Sequence, residues 1–248
     1  LIAVPYASSG LSSGEARAPH ALRAAGLLDA LRSAGHTVAD LGDVAFGLQA
    51  PERDPLTGII APRTLVEMVL ATRRAVTQSL ESDLFPAVVG GECPLLLGCL
   101  VAARDAYARA GLLFVDGHED AWPPHTSTTG EAADMELGLA LGQTSVSGLP
   151  ELEALLPLID PAHAALLGPR DRQEIIDADV TSLQYFVRLH DDIVLQDGDI
   201  SSIGRAAAKH LQDVAGKWWF HLDFDVLSTA ALQAVRYPQA GGLNWVQL

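Results

Sequence analysis

One stretch of the sequence indicates the fold: Leu112-Leu-Phe-Val-Asp-Gly-His-Glu-Asp120. Its apolar first half is typical of a buried strand in a parallel sheet, and open α/β sheets bind their ligands beyond the carboxyl ends of such strands. Because alternate side chains of an extended chain share one face, Asp116, His118 and Asp120 can point toward the same cation. Two carboxylates and an imidazole suit a divalent first-row metal. We therefore predict a metal site at the end of this strand.

A second stretch, Trp218-Trp-Phe-His-Leu-Asp-Phe-Asp225, repeats this pattern. It places Asp223 and Asp225 on one face at the end of an apolar run. If the two strands are neighbours in a parallel sheet, their terminal side chains converge at one edge. Clustered carboxylates raise one another's pKa and are costly without a cation, so the second strand strengthens the prediction of a metal site.

Strand patterns alternate with helical patterns along the rest of the chain. The predicted strands are at 1–6, 36–41, 85–89, 162–167 and 217–224, and the predicted helices at 19–34, 64–80, 95–110, 132–141, 172–178 and 201–215. This alternation indicates βαβ units in a mainly parallel sheet. Segment 187–198 is ambiguous. Segments 42–62 and 122–130 are predicted loops, and the second of them could cover the site.

Composition narrows the class of protein. The 248 residues can form one α/β domain, and the formal net charge of −15 disfavours nucleic acid and anionic membranes as partners. Apolar runs stay well short of the roughly 18 residues that span a bilayer. The amino-terminal residues have no basic region of a secretory signal, so a cytoplasmic protein is expected. Two cysteines, Cys93 and Cys99, do not indicate a disulfide framework.

Three motifs in order carry a resemblance to a known family: Gly90-Gly-Glu-Cys93, Asp116-Gly-His-Glu-Asp120 and His221-Leu-Asp-Phe-Asp-Val-Leu-Ser-Thr229. They are similar to the Gly-Gly-Asp-His, Asp-Ala-His-x-Asp and Ser-x-Asp-x-Asp-x-x-Asp-Pro patterns of the ureohydrolases, which are arginases, agmatinases and formiminoglutamases. Residues 237–243 also resemble a family loop. The resemblance implies a three-layer α/β/α arginase-like fold with a mainly parallel sheet. It also implies a single domain over 1–248 in which the family's last helix and strand are missing or truncated.

The resemblance implies a binuclear manganese centre. In it, Asp116 and Asp223 would bridge the two metals, while His118 and Asp225 would complete the ligands of one of them. All four of these positions match the family pattern.

The second metal position would use Asp120 and Cys93, where the family has histidine. Cysteine thiolate is a soft ligand that suits zinc or iron better than manganese. The cofactor implied is therefore one or two divalent ions, Mn²⁺ first, with Zn²⁺ or Fe²⁺ as alternatives because of Cys93.

The resemblance also implies a reaction on a small-molecule substrate. The metals of the family lower the pKa of a shared water, and the resulting hydroxide attacks a guanidinium or amidine carbon. His118 and Asp120 are the residues that we expect to take part in catalysis. The predicted function is hydrolysis of a linear C–N bond in a guanidino, formimino or related compound. The alternative is a binding or regulatory module of the same fold with one metal or none.

Several positions depart from the family pattern. Ala133 occupies the position of a family histidine assigned to proton transfer, and Trp122 replaces a polar residue that holds the amino-acid end of arginine, so arginine is not the expected substrate. His125 is either a substitute proton carrier or an exposed loop residue. Glu131 and Asp134 either receive a cationic substrate or begin a helix.

Other polar residues have open roles. Glu92 is either an acceptor behind the metal ligands or a helix N-terminal charge. Arg170 and Asp171 either line the pocket or form a local ion pair. His221 is expected to be a hydrogen-bonded core or interface histidine. A homo-oligomer is expected by analogy with the family.

Overall fold

The computed structural model describes residues 1–11 and 14–248. Over these residues the strands are β1 (Ile2–Val4), β2 (Val88–Gly90), β3 (Gly111–Val115), β4 (Ala164–Leu167), β5 (Arg188–His190) and β6 (Trp218–Leu222). The α-helices are α1 (Ala18–Ala24), α2 (Leu27–Ser33), α3 (Pro62–Glu81), α4 (Leu95–Ala106), α5 (Glu136–Ala140), α6 (Pro150–Glu153), α7 (Arg172–Asp177), α8 (Asp192–Asp197) and α9 (Ile200–Val214).

All the strand pairs among these residues are parallel. Strands β5, β4, β3 and β6 form a sheet in that order, and β1 pairs with β2 in a second sheet. In register, Val115 of β3 lies beside Leu167 of β4 and Leu222 of β6. The residues that follow these three positions therefore meet at one edge, as the sequence patterns predict.

Helices cover both faces of the larger sheet. Leu112 and Phe114 of β3 are buried in a core that includes α3 and α4. Leu113 and Val115, which point to the opposite face, are buried in a second core that includes α9. Each buried Leu or Phe stabilises the fold by roughly 1.5–3 kcal/mol. Two apolar faces on one strand require two helical layers, and this confirms the predicted three-layer α/β/α fold.

The predicted strand 36–41 is wrong. Its residues are mostly exposed and have no buried apolar face. The chain instead runs beside β1 slightly later, where Leu41 N–H donates to Leu1 O at 2.9 Å and Val44 N–H donates to Ala3 O at 2.7 Å. These bonds give a single bridge, between Ala3 and Asp43, rather than a strand.

Two predicted helices are interrupted. The helix expected at 19–34 is split into α1 and α2 at Gly26, whose φ of +93° is incompatible with a continuous helix. The helix expected at 132–141 consists of a 3₁₀ turn over Ala132–Asp134 followed by α5. Residues 245–247 form a turn, and Leu243 makes an isolated bridge with Leu227.

The ambiguous segment 187–198 forms β5 and α8. Asp191 caps α8 by accepting a hydrogen bond from Val194 N–H at 2.9 Å. Asp192, the first residue of α8, is buried. No helix of the described residues is long and apolar enough to cross a membrane.

Candidate metal centre

The parallel ladder extends one residue beyond β3 and β6 and fixes two carboxylates. Asp116 N–H donates to Leu167 O at 3.1 Å, and Asp223 N–H donates to Val115 O at 2.9 Å. Both side chains lie at the carboxyl edge of the sheet, where the sequence predicts them. Their backbones are held by the sheet itself, so the two carboxylates are rigidly placed.

His118 and Asp225 lie beside Asp116. His118 Nδ1 is 2.8 Å from Asp225 Oδ2 and 3.7 Å from Asp116 Oδ1. Gly117 N–H donates to Asp225 Oδ1 at 2.8 Å, and a Cβ on Gly117 would lie 2.9 Å from that oxygen. The ligand atoms of Asp116, His118 and Asp225 lie within 4.8 Å of one another, so these three side chains could hold one cation.

Cys93 reaches the same site from the turn between β2 and α4. Its thiol donates to Asp223 Oδ2 at 3.0 Å, and Sγ lies 3.8 Å from Asp116 Oδ2. The turn passes close to the start of the chain, because a Cβ on Gly91 would lie 2.1 Å from Tyr6 O. Asp120, whose φ is +45°, completes the set of six residues that the sequence predicts, and all six line one cavity of about 450 Å³.

Two further buried groups border the cluster and were missed as metal ligands in the sequence. Glu136, the first residue of α5, has ligand atoms within 4.8 Å of those of Cys93 and Asp120. His221 Nε2 lies 3.9 Å from Asp116 Oδ2, and its ring stacks on Phe114 with a centroid distance of 4.6 Å. Neither Glu136 oxygen nor His221 Nε2 has a hydrogen-bond partner among the described residues. His221 is largely buried, as expected, but its Nε2 lacks the expected hydrogen bond within the described part of the chain.

Burial and like charges control the protonation of the cluster. Burial, followed by neighbouring carboxylates, raises the pKa of Asp116, Asp120 and Asp223. Burial disfavours the charged imidazole of His118, but its bonds with Asp116 and Asp225 outweigh this effect and raise its pKa to about 11. Those bonds also outweigh burial at Asp225 and lower its pKa.

These observations fit a divalent cation. The donor set contains carboxylate oxygen, imidazole nitrogen and thiol sulfur, and metal ions compensate clustered buried negative charge. The oxygens of Glu136 and the Nε2 of His221 have no protein partner among the described residues, so these groups are also free to bind a cation.

Arg236 crosses the outer wall of the cavity. Its guanidinium lies 2.7 Å from Glu131 Oε1, 3.4 Å from Glu92 Oε1 and 3.8 Å from Glu15 Oε2. Tyr237 O–H donates to Glu131 Oε2 at 2.9 Å. The wall therefore contains three carboxylates around one cation. Arg236 and Glu15 give no signal in the sequence, because long-range contacts alone bring them together, whereas Tyr237 begins the segment 237–243 that resembles a family loop.

The contacts of Glu92 and Glu131 distinguish between the alternative roles that the sequence left open. Glu92 accepts one hydrogen bond from Ser8 N–H and another from the guanidinium of Arg236. It therefore fastens the first loop to the cavity wall. Glu131 lies on the wall beside Arg236, as one of its two proposed roles requires.

Two long loops are joined to each other, and residues of the second one line the cavity. Arg53 Nε donates to Gly58 O at 2.8 Å, and its Nη2 donates to Pro124 O at 3.0 Å and Ser127 O at 2.9 Å. Arg53 thus ties segment 42–62 to segment 122–130. Trp122 of the second loop lines the cavity, which agrees with the predicted cover. His125 is exposed and is not among the lining residues, so the structure favours the exposed-loop interpretation.

Arg170 and Asp171, which follow β4, have different surroundings. Arg170 donates to the carbonyl oxygens of residues 225–227, with Nη2 at 2.5 Å from Asp225 O. Asp171 lines the cavity, and no ion pair joins it to Arg170 among the described residues.

Ala133 also lines the cavity, where it has no proton to transfer. Asp134 accepts hydrogen bonds from Ser127 and Thr129, both at 2.7 Å, and so orders the covering loop.

Comparison with known proteins agrees with this geometry. A family model described as the arginase family matches residues 1–248. The sequence is 26% identical to an arginase of Bacillus caldovelox over 99% of this chain and 81% of that protein. It is 25% identical to arginase-1 of Oryctolagus cuniculus over 99% of this chain and 76% of that protein.

Solved structures show the same fold. The native structure of the Bacillus caldovelox arginase has a TM-score of 0.85 at 23% identity, covering 99% of this chain and 82% of that one. Formimidoylglutamase of Bacillus subtilis has a TM-score of 0.70 at 16% identity, covering 99% and 71% of the two chains. Because the family model matches the whole sequence, the chain belongs to the arginase family.

Proposed function

We propose that this protein is a metal-dependent hydrolase of linear C–N bonds in guanidino, formimino or related amidine compounds. The observation that carries the proposal is the convergence of Asp116, His118, Asp223 and Asp225 at the ends of two adjacent parallel strands, inside one cavity. Membership of the arginase family supports the same reaction class.

The residues proposed to hold the metal are Asp116, His118, Asp120, Asp223, Asp225 and Cys93. Manganese is the proposed ion, and zinc or iron is the alternative where Cys93 contributes its thiolate. A divalent cation bound there would lower the pKa of a water molecule and make it a nucleophile at neutral pH.

The protein's own residues would orient and shield the reacting groups. His118 is held between Asp116 and Asp225, which fixes its ring, and Asp225 is held in turn by Gly117 N–H. The loop that carries Trp122 limits access of bulk water to the cluster. We propose His118 and Asp120 as the residues closest to the chemistry, because both face the cavity from the β3 motif.

The charge of the cavity favours a cationic substrate group. Its inner part is lined by Asp116, Asp120, Asp223 and Asp225, and the carboxylates of the outer wall outnumber the one cation, Arg236. A guanidinium or amidinium is attracted to such a surface. We expect arginine to be a poor substrate, because Trp122 stands where the family resemblance implies a polar contact with the amino-acid group.

A substrate screen tests the proposal. Metal-free protein would be supplied separately with manganese, zinc, iron or nickel and incubated with guanidino, formimino and amidine compounds. We expect release of urea, ammonia or formamide from at least one compound. Absence of turnover with every metal would contradict the proposal, and metal binding without turnover would support the binding module that Ala133 favours.

The first testable prediction concerns Asp225. We expect Asp225→Ala to lower kcat/KM by about a thousandfold or more, since it removes both a proposed metal ligand and the partner of His118. The matched control is Asp197→Ala, an exposed aspartate of α8, which should keep full activity. An Asp225→Ala protein with bound metal and undiminished turnover would refute the assignment.

Three properties of the whole protein stay predictions. We propose a homo-oligomer, which light scattering of the purified protein tests, and a cytoplasmic location, which cell fractionation tests. The third is a single arginase-like domain over residues 1–248.

A further inference from the structure

Glu136 is a buried carboxylate in an unusual position. It is the first residue of α5, its exposed fraction is 0%, and neither of its oxygens has a hydrogen-bond partner among the described residues. Burying a carboxylate without compensation costs several kcal/mol, so such a group requires a cation or a proton.

The surroundings of Glu136 are those of a cation site. Its ligand atom, Cys93 Sγ and a carboxylate oxygen of Asp120 all lie within 4.8 Å of one another. A proton on Glu136 would remove only one of the negative charges in this group, whereas Asp116 lies close by and adds another. The cationic His118 is already paired with Asp116 and Asp225. A divalent ion compensates the whole group at once.

We propose that Glu136 is an additional ligand of the second metal position, beside Cys93 and Asp120, and that this set of donors prefers a thiolate-binding ion such as zinc or cobalt to manganese. The inference rests on the metal centre of the proposed function. The two positions then differ in chemistry, because the Asp116, His118 and Asp225 group offers oxygen and nitrogen alone. Thiolate is a soft ligand, and zinc sites with cysteine are common.

His221 is the competing partner of Cys93. The ligand atoms of Cys93, Asp116 and His221 also lie within 4.8 Å of one another. Asp116 already contacts His118, however, and the ring of His221 is stacked on Phe114. The Glu136 group contains three acidic side chains against two in the His221 group, so it compensates a divalent charge better.

Cobalt binding tests the role of Cys93 without an activity assay. Metal-free protein titrated with Co²⁺ should develop a near-ultraviolet thiolate-to-cobalt charge-transfer band. Cys93→Ser should abolish the band, whereas Cys99→Ala, which changes the other buried free cysteine, should retain it. A band that persists in Cys93→Ser would overturn the proposal.

Metal stoichiometry tests the role of Glu136. Elemental analysis after zinc loading should give two ions per wild-type chain, and Glu136→Gln should bind one of them at least tenfold more weakly. Glu131→Gln, a buried carboxylate that is paired with Arg236, is the control and should bind both ions. Unchanged binding by Glu136→Gln, or loss of the second ion in His221→Ala instead, would overturn the proposal.

A thermal measurement separates a ligand from a structural residue. Without metal, Glu136→Gln should unfold at about the same temperature as the wild type, because the amide replaces a buried carboxyl group that carries a proton when no cation is bound. Zinc should raise the unfolding temperature of Glu136→Gln less than that of the wild type. Lower stability with and without zinc would overturn the proposal. If the wild type binds no ion at all, the proposed function fails, whereas two ions bound equally by wild type and Glu136→Gln would refute only this inference.

Discussion

At the scale of single residues, Asp171 shows how burial changes an ordinary carboxyl group. Its Oδ2 accepts a hydrogen bond from Glu119 N–H at 3.1 Å, while Oδ1 has no partner in the described part of the chain. The side chain lines the cavity but is only 3% exposed. Burial raises its pKa to about 6, so the folded protein keeps a proton that the unfolded chain loses near pH 4.

The second prediction is a pH dependence that Asp171 causes. Between the two pKa values the folded state binds more protons than the unfolded state, so the free energy of unfolding falls as the pH rises through about 6. From about pH 5 to about pH 7.5, we expect the free energy of unfolding to fall by on the order of 1 kcal/mol less in Asp171→Asn than in the wild type. Urea unfolding in the presence of a chelator measures this difference. Asp197→Asn serves as the exposed control, and equal pH profiles of Asp171→Asn and wild type would be contrary evidence.

At the scale of elements, the turn after β6 depends on a contact from another strand end. Arg170, which follows β4, donates hydrogen bonds to the carbonyl oxygens of Asp225, Val226 and Leu227. These bonds fix the backbone that carries the Asp225 side chain. Arg170, at the end of one strand, thus holds the backbone of a proposed metal ligand at the end of another. It is a positioning residue and is not expected to contact substrate.

The third prediction follows from that contact. Arg170→Ala leaves three carbonyl groups without this donor, so we expect a loss of about 1–3 kcal/mol in unfolding free energy and at least tenfold weaker metal binding. Arg170→Lys should recover only part of the unfolding free energy and part of the metal affinity, because lysine lacks the planar set of donors of arginine. Isothermal titration with Mn²⁺ and urea unfolding measure the two effects. Arg172→Ala, at the exposed start of α7, is the control, and full metal affinity in Arg170→Ala would contradict the positioning role.

Elements whose pattern and burial agree were predictable from the sequence. The apolar runs that end at Asp116 and Asp223 form β3 and β6, since both strands are adjacent in the sheet and carry their carboxylates to one edge. Segment 36–41 has strand-like residues, but tertiary contacts leave it exposed beside β1. Gly26 divides a helical pattern because its backbone adopts a positive φ.

The missed site residues depend on contacts that no local pattern contains. Glu136 resembles an ordinary acidic residue at a helix start, and its burial follows from the packing of α5 against the cluster. Arg236 meets Glu15, Glu92 and Glu131, which come from three distant parts of the chain. Hydrophobic periodicity cannot report such encounters between polar side chains.

At the scale of the whole molecule, the carboxyl edge of the sheet gathers negative charge in the interior of a protein that is already acidic. The net charge is −15, and Asp116, Asp120 and Glu136 are all buried at this edge. The apolar cores on the two sides of the sheet must therefore stabilise the fold against repulsion at the site. A bound cation would remove this penalty from the folded state only, because the unfolded chain does not assemble the cluster.

The fourth prediction is that metal and folding are linked. A ligand that binds only the folded state adds about 2.7 kcal/mol at a free concentration of 100 times Kd. For a chain of this length, that corresponds to a rise in Tm of roughly 5–10 °C. We expect scanning calorimetry at neutral pH to show such a rise when Mn²⁺ or Zn²⁺ replaces a chelator.

The same rise should be absent from Asp116→Ala and present in Asp197→Ala, since only Asp116 belongs to the cluster. Equal Tm values of the wild type with metal and with chelator would mean that the buried charges are compensated by protons alone.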